Sequence, residues 1–172
     1  MWLKIIGAGI VIITGTSIGF MLASRCSERP RQIRQIISCI GSLKTYIGYV
    51  SLPLAEALHN CTNGTYGAVN DLFQKMALIL NDNGWMTPQE ALNQAVSETN
   101  MLALERPELE ILSALGANLG STSRDEQKTY LVMVQEQLAK IEQDAIRLRD
   151  QNSKMYRYLG VCSGLAIVIV LI

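Results

Sequence analysis

Residues 131–155 read LVMVQEQLAKIEQDAIRLRDQNSKM. Most side chains that recur there at alternating steps of three and four are apolar, and this spacing places them along one side of an α-helix. We call this series the heptad stripe, and it consists of Leu131, Val134, Leu138, Ile141, Ala145, Leu148, Asn152 and Met155. The spacing predicts a long helix around which the rest of the chain is organised.

This helix has a marked start but no marked end. Ser123 and Glu126 have the S-x-x-E spacing of a capping box, which is typical of a helix N-terminus. No proline follows, and residues 159–172 carry no charged side chain. The pattern therefore predicts one continuous helix over 123–172, amphipathic in its first part and apolar on all sides at its end.

Two apolar segments are candidates for membrane spans. Residues 5–24 contain no Asp, Glu, Lys or Arg, and about 20 such residues cross a hydrocarbon core of about 30 Å. Residues 158–172 are short for a span, and Lys154 and Arg157 would extend it by reaching towards the headgroups. We predict transmembrane helices at 1–24 and 158–172, flanking a domain at 25–157.

A cleaved signal peptide is the rival interpretation of the first segment, since Met21 to Ser24 resembles a processing site. The charge distribution favours a retained anchor. Only Lys4 precedes the segment, whereas four Arg residues lie between positions 25 and 34, the reverse of a secretory bias.

The same charges predict the topology. Basic clusters border both apolar segments on the side of the domain, so the positive-inside rule places the domain in the cytoplasm. Between residues 35 and 146, six Lys and Arg face thirteen Asp and Glu, and this acidic balance argues against a nucleic-acid partner. The residues predicted to fix topology and contact headgroups are Arg25, Arg29, Arg31, Arg34, Lys154 and Arg157.

Each predicted span contains a G-x-x-x-G motif, formed by Gly15 with Gly19 and by Gly160 with Gly164. Small residues four apart allow close packing of helices in lipid. These glycines predict packing of the two spans on each other or on other membrane subunits.

The domain is predicted to be all-α, a bundle of six helices without a sheet. Gly48 and Ser51 are expected to break the first helix, and Thr87 with Glu90 forms a second capping box. The predicted helices cover residues 30–47, 52–58, 69–80, 87–96, 108–119 and 123–172.

No constellation for catalysis, cofactor binding or metal binding is found, so neither an enzyme nor a small-molecule substrate is expected. His59 is the only imidazole, and it lies at the end of a short predicted helix rather than beside a nucleophile. Cys26, Cys39, Cys61 and Cys162 form no C-x-x-C pair, so idle thiols in a reducing compartment are expected.

The heptad stripe has two interpretations that the spacing leaves open. It is either a core face that closes the bundle of a single chain or a coiled-coil seam with a second copy, which would make the protein a homo-oligomer.

Three stretches of the chain are similar to a known family: residues 28–34 (ERPRQIR), 119–127 (LGSTSRDEQ) and 154–161 (KMYRYLGV). With the size and the two-span plan, they resemble stage III sporulation protein AB of endospore-forming bacteria. The resemblance implies a fold similar to the cytoplasmic domain of type II secretion and type IV pilus platform proteins.

The resemblance also implies a location and partners. The protein would lie in the outer forespore membrane, on the mother-cell side, within the channel apparatus that joins the two cells. Its partners would be a sporulation ATPase and other membrane subunits of that channel. We therefore expect a non-enzymatic platform subunit required for sporulation; the alternative is a membrane-anchored signalling or scaffold protein that dimerises through the heptad stripe.

Overall fold

The structure, a computed structural model, describes residues 27–120 and 123–171. Within these ranges the chain forms six α-helices and one π-helical turn and contains no β-strand, which confirms the all-α prediction. The elements are α1 (Glu28–Thr45), the π turn (Tyr46–Val50), α2 (Leu54–Cys61), α3 (Ala68–Asp82), α4 (Pro88–Glu98), α5 (Arg106–Asn118) and α6 (Arg124–Leu171).

The chain divides into two units. Pro30–Glu142 form the first, which contains most of the helical bundle, and Gln143–Ile172 belong to the second. Across the described residues, no helix has a stretch that is both long and apolar enough to cross a membrane. The predicted span at 1–24 lies outside these residues. The backbone of 158–171 is helical, and its placement in a membrane stays a prediction.

The core of the first unit is organised by α1 and α6. Gln135 Nε2 donates a hydrogen bond to the carbonyl oxygen of Ile37 at 3.0 Å, and Arg34 Nε donates to Glu142 Oε1 at 2.7 Å. Because the residue numbers increase along α1 as they decrease along α6, the two helices are antiparallel. The side chains that the two helices bury are Ile33, Ile36, Ile40 and Leu43 from α1 and Leu131, Val134 and Leu138 from α6.

The four shorter helices complete the bundle through contacts between neighbours along the chain. Helix α2 packs on α3, α3 on α4, and α4 on α5. Their buried side chains include Leu58, Phe73, Met76, Leu92 and Leu112. Each of these helices is amphipathic, so its apolar face is covered only when its neighbour is in place.

The predicted capping box at the start of α4 is present. The hydroxyl oxygen of Thr87 accepts a hydrogen bond from the backbone N–H of Glu90, and Glu90 Oε2 accepts one from the backbone N–H of Thr87 at 3.0 Å. The backbone N–H and the hydroxyl of Thr87 both stabilise the ionised carboxylate, which lowers the pKa of Glu90. The cap is thus complete above the ordinary pKa of a glutamate and weakens as the pH falls below it.

The predicted break at Gly48 and Ser51 is present: α1 ends at Thr45, and the π turn that follows ends before Ser51. Gly48 lies inside the π turn, and the chain leaves the helical conformation at Ser51, which adopts a φ of 61°. A Cβ atom at Gly48 would overlap the side chain of Lys128 on α6. Lys128 Nζ lies 5.0 Å from the centroid of the Tyr49 ring. Gly48 therefore lies close to α6, but the Lys128 side chain is flexible and could move aside for a larger residue.

Gly116 provides a test of the packing between α4 and α5. A Cβ atom at Gly116 would lie 2.9 Å from Gln89 Cα, which is backbone and cannot move aside cheaply. We expect Gly116→Ala to lower the free energy of unfolding by about 1–3 kcal/mol, measured by urea denaturation of the full chain in detergent.

Gly84→Ala is the matched control, because no atom lies within 4 Å of the added Cβ position and the backbone there is not left-handed. Its free energy of unfolding should stay unchanged or rise by less than about 1 kcal/mol. Equal destabilisation by the two substitutions would contradict the close approach of α4 and α5.

Candidate interaction surface

Helices α5 and α6 each present an outer face beside the face that they bury. Leu112 and Leu115 of α5 point into the core, whereas Ala114 is exposed. On α6, the heptad stripe is buried at Leu131, Val134 and Leu138, but Met133 remains 43% exposed. Exposed apolar side chains are common on protein surfaces, so these positions matter only where they line a concavity together.

These outer faces enclose two adjoining concavities. The larger has a volume of about 490 Å³ and is lined by Pro107, Glu110, Ile111 and Ala114 of α5 with Tyr130, Met133 and Gln137 of α6. The second, of about 410 Å³, is lined by Asp125, Glu126, Thr129, Tyr130 and Met133. Tyr130 and Met133 line both, so the concavities are neighbours, and the second is formed by α6 alone. We call the combined surface the α5–α6 groove.

The floor of the α5–α6 groove is apolar and its rim is acidic. Glu110, Asp125 and Glu126 are exposed at the rim. Lys128 Nζ lies 3.5 Å from Asp125 Oδ1, but an ion pair this exposed to solvent contributes little, so the rim keeps its negative potential. Glu126 Oε2 accepts a hydrogen bond from the backbone N–H of Ser123 at 3.4 Å, one half of the predicted capping box. A groove with an apolar floor and acidic edges suits a basic amphipathic helix from another protein.

Comparison with known proteins shows the family of the chain. Residues 4–172 match the family of stage III sporulation protein AB. The chain belongs to the stage III sporulation protein AB family. This confirms the family predicted from residues 28–34, 119–127 and 154–161.

Two relatives illustrate the extent of the similarity. The chain is 31% identical over 170 residues to stage III sporulation protein AB of Bacillus subtilis (strain 168), an alignment that covers 98% of this chain and 99% of the relative. A solved structure of a stage III sporulation protein AB is 30% identical and superimposes with a TM-score of 0.65. That superposition covers 72% of this chain and 97% of the solved one.

In this member of the stage III sporulation protein AB family, the heptad stripe is buried at the start of α6 and exposed further along it. Its first three positions, Leu131, Val134 and Leu138, are buried, Ile141 is half-buried, and Ala145 is buried. The last positions are exposed: Leu148, Asn152 and Met155. The buried part fits the core-face interpretation, and the exposed part leaves room for the seam interpretation.

The structure places the predicted basic residues at separate points. Arg34 is bound to Glu142, and the Arg31 guanidinium carbon lies 4.8 Å from the centroid of the Tyr66 ring. Arg29 is half-buried, and Lys154 is exposed on α6. Arg25 lies outside the described residues, and only the backbone of Arg157 is described.

The described part of the structure contains only one of the two predicted glycine motifs, and only its backbone. Gly15 and Gly19 lie outside the described residues, and Gly160 and Gly164 belong to the helical backbone of α6. Their role in helix packing within a membrane stays a prediction.

Two of the four cysteines are free thiols buried side by side. Cys39 of α1 and Cys61 at the end of α2 are both buried, and Cys61 Sγ donates to the carbonyl oxygen of Leu58 at 3.0 Å. The neighbouring Cys39 and burial both raise the pKa of Cys61, so that thiol stays protonated and unreactive. In the described part of the chain, no group of His, Cys, Asp and Glu is arranged to hold a metal ion.

Sequence reasoning did not identify the α5–α6 groove. The signal was present: Glu126, Tyr130, Met133 and Gln137 repeat at steps of four, three and four, a second stripe beside the heptad stripe. It was missed because a short stripe of mixed polarity cannot be distinguished from an ordinary solvated face until the neighbouring helix is known.

Proposed function

We propose that this protein is a non-enzymatic platform subunit of a secretion-like channel complex between mother cell and forespore, and that the α5–α6 groove docks the sporulation ATPase. The observation that carries the proposal is the double role of α6. The helix that lines one wall of the groove with Tyr130 and Met133 is the same helix that continues without interruption to Leu171.

The membrane part of the proposal rests on the sequence. Residues 5–24 are long and apolar enough for a span, and the arginines that follow favour a cytoplasmic domain. We place the protein in the outer forespore membrane, with its domain in the mother-cell cytoplasm, where an ATPase is available. Residues 158–172 form the second span in this proposal, joined to the groove by α6.

The mechanism is mechanical and electrostatic. The acidic rim attracts a basic helix of the ATPase, and the apolar floor accepts the side chains of its other face. Because α6 has no Pro, a displacement at the groove is carried along the helix rather than absorbed at a hinge.

Met133→Lys tests the docking surface. A cationic side chain on the apolar floor would repel the basic helix of the ATPase and remove an apolar contact. It should therefore weaken binding of the purified ATPase to the full-length protein about tenfold or more. The count of heat-resistant spores should fall with it. Binding is measured by titration of the ATPase against the protein in detergent micelles.

Val132→Lys is the matched control, because Val132 is the adjacent residue on α6, is 39% exposed, and lines neither concavity. This variant should bind the ATPase normally and sporulate normally. If both variants lost binding equally, a general charge effect would replace the groove as the explanation.

An insertion of Pro-Gly after Asp150 tests the role of an unbroken α6. The inserted pair interrupts the helix, so sporulation should fail while the protein remains in the membrane fraction and still binds the ATPase. Normal sporulation with this insertion would rule out mechanical coupling through α6.

A second candidate function, a scaffold that dimerises through the heptad stripe, is favoured by the exposure of Leu148 and Met155. We expect Leu148→Asp to abolish amine cross-linking of two copies in membranes if these residues form a seam. Gln143→Asp is the control, because Gln143 is exposed and lies on the side of α6 opposite the stripe. Unchanged cross-linking in Leu148→Asp would exclude the seam.

A further inference from the structure

The exposed part of the heptad stripe belongs to the second unit of the chain. Leu148 is 49% and Met155 is 47% exposed, and Asn152 between them is exposed as well. All three lie along one side of α6, because steps of four and three residues in an unbroken helix return to the same side. Single exposed apolar side chains need no explanation, but a row of them at heptad spacing is typical of a coiled-coil contact.

Asn152 occupies the kind of position at which coiled coils use an asparagine. With Leu131 counted as an a position, Asn152 falls at an a position as well. Leu148 and Met155 fall at the d positions on either side of it. One asparagine among apolar a and d residues fixes the register and the number of strands of a parallel coil, at a cost in stability.

The charged residues beside the stripe complement each other across a parallel pair. Asp144 is at the g position of one heptad, and Arg149 is at the e position of the next. In a parallel coil in register, each g residue faces the e residue of the following heptad on the other helix. Asp144 of each copy therefore faces Arg149 of the other, which gives two equivalent ion pairs. In an antiparallel coil, g residues face g residues and e residues face e residues, so these two charges do not meet.

The contacts within one chain leave both charged groups able to make these pairs. Asp144 is exposed, and within the described residues its carboxylate has no hydrogen bond or ion pair. Arg149 donates to Oδ1 of Asp150 from Nε at 2.9 Å and from Nη2 at 2.7 Å. This pair of neighbours is exposed and contributes little, and the guanidinium keeps further N–H donors for a second carboxylate.

We propose that two copies of this chain pair in parallel and in register through residues 144–155 of α6, with Asn152 of one copy facing Asn152 of the other. We call this contact the α6 seam. The inference rests on the second candidate function, the scaffold that dimerises, and adds to it the direction, the register and the residues that fix them. It is independent of the α5–α6 groove, so docking of the ATPase can fail without affecting it.

The α6 seam is short. Leu131, Val134 and Leu138 are buried in the first unit, so they are not available to a second copy. The seam therefore extends only from Asp144 to Met155, roughly 17 Å at about 1.5 Å per residue. A contact of this length is weak in water and requires that both copies be held at a high local concentration. A membrane supplies that concentration, so the pairing is tested on the full-length protein in membranes.

The direction and the register are tested by cross-linking cysteines with a short bismaleimide. Cys26→Ser and Cys162→Ser leave only the two buried cysteines of the chain. Leu148→Cys and Met155→Cys are then made one at a time. In a parallel pair in register each new thiol faces its own equivalent, so each variant should give at least about fivefold more cross-linked dimer than the control. The control is Gln143→Cys, which is exposed on the opposite side of α6.

The outcomes separate the inference from the second candidate function. Amine cross-linking of the unaltered chain without thiol cross-linking at both positions would overturn the parallel register and leave a dimer of another geometry. Loss of amine cross-linking as well would overturn the α6 seam together with the scaffold. Neither result bears on the α5–α6 groove.

Charge reversal tests the ion pairs, with Leu148→Cys as the reporter. Asp144→Arg places like charges opposite each other in both pairs and should lower the yield of dimer about fivefold, and Arg149→Asp should do the same. The two substitutions together restore opposite charges and should restore the yield. Arg147→Asp is the control, because Arg147 is exposed away from the stripe, and it should leave the yield unchanged. A double variant as poor as the single ones would overturn the pairing of Asp144 with Arg149.

Asn152→Leu tests the residue that limits the number of strands. Leucine removes the polar group from the apolar row, so amine cross-linking in membranes should give more dimer and, in addition, species larger than a dimer. An unchanged pattern of cross-linked species would exclude Asn152 from the α6 seam.

Discussion

The antiparallel pairing of α1 and α6 is the constraint on which the rest of the bundle depends. The isoleucines of α1 and the buried part of the heptad stripe lie on facing helices whose residues are about 100 positions apart in the chain, as the hydrogen bond from Gln135 to Ile37 shows. Each fully buried side chain of this size contributes about 1.5–3 kcal/mol. Helices α2 to α5 contact their neighbours along the chain, and α6 closes the bundle against its own beginning.

Two glutamine side chains fix the geometry that the apolar contacts leave adjustable. The hydrophobic effect has no preferred direction, whereas a hydrogen bond is satisfied only at one geometry. Gln135 fixes α6 against α1, and Gln32 fixes the connection between α4 and α5 against the same helix. Both bonds are made to backbone carbonyl groups. Throughout the described residues, no buried side-chain nitrogen or oxygen lacks a partner.

Features that depend on local spacing were predictable from the sequence. The heptad stripe predicted α6, and Thr87 with Glu90 predicted the start of α4, because periodicity and capping act within a few residues. The break after α1 was predictable in the same way from Gly48 and Ser51, whereas the approach of Lys128 on α6 to Gly48 was not, because it joins distant parts of the chain. The Gln32 side chain is hydrogen-bonded to the backbone of Met101 and Ala103, which lie 69 and 71 positions further along the chain. No local pattern in the sequence predicts these bonds. The α5–α6 groove could not be predicted from the sequence for the same reason, since it forms only where two helices meet.

The dependence of the bundle on α6 has a consequence for biosynthesis. Arg34 meets Glu142 across 108 residues, so the partner surface of α1 has been synthesised only when residues 143–172 remain to be translated. At roughly 5–20 residues per second, that interval lasts only a few seconds. For most of its synthesis, the nascent chain therefore displays the isoleucines of α1 without their cover. The apolar surface of the nascent chain is therefore aggregation-prone until α6 is complete.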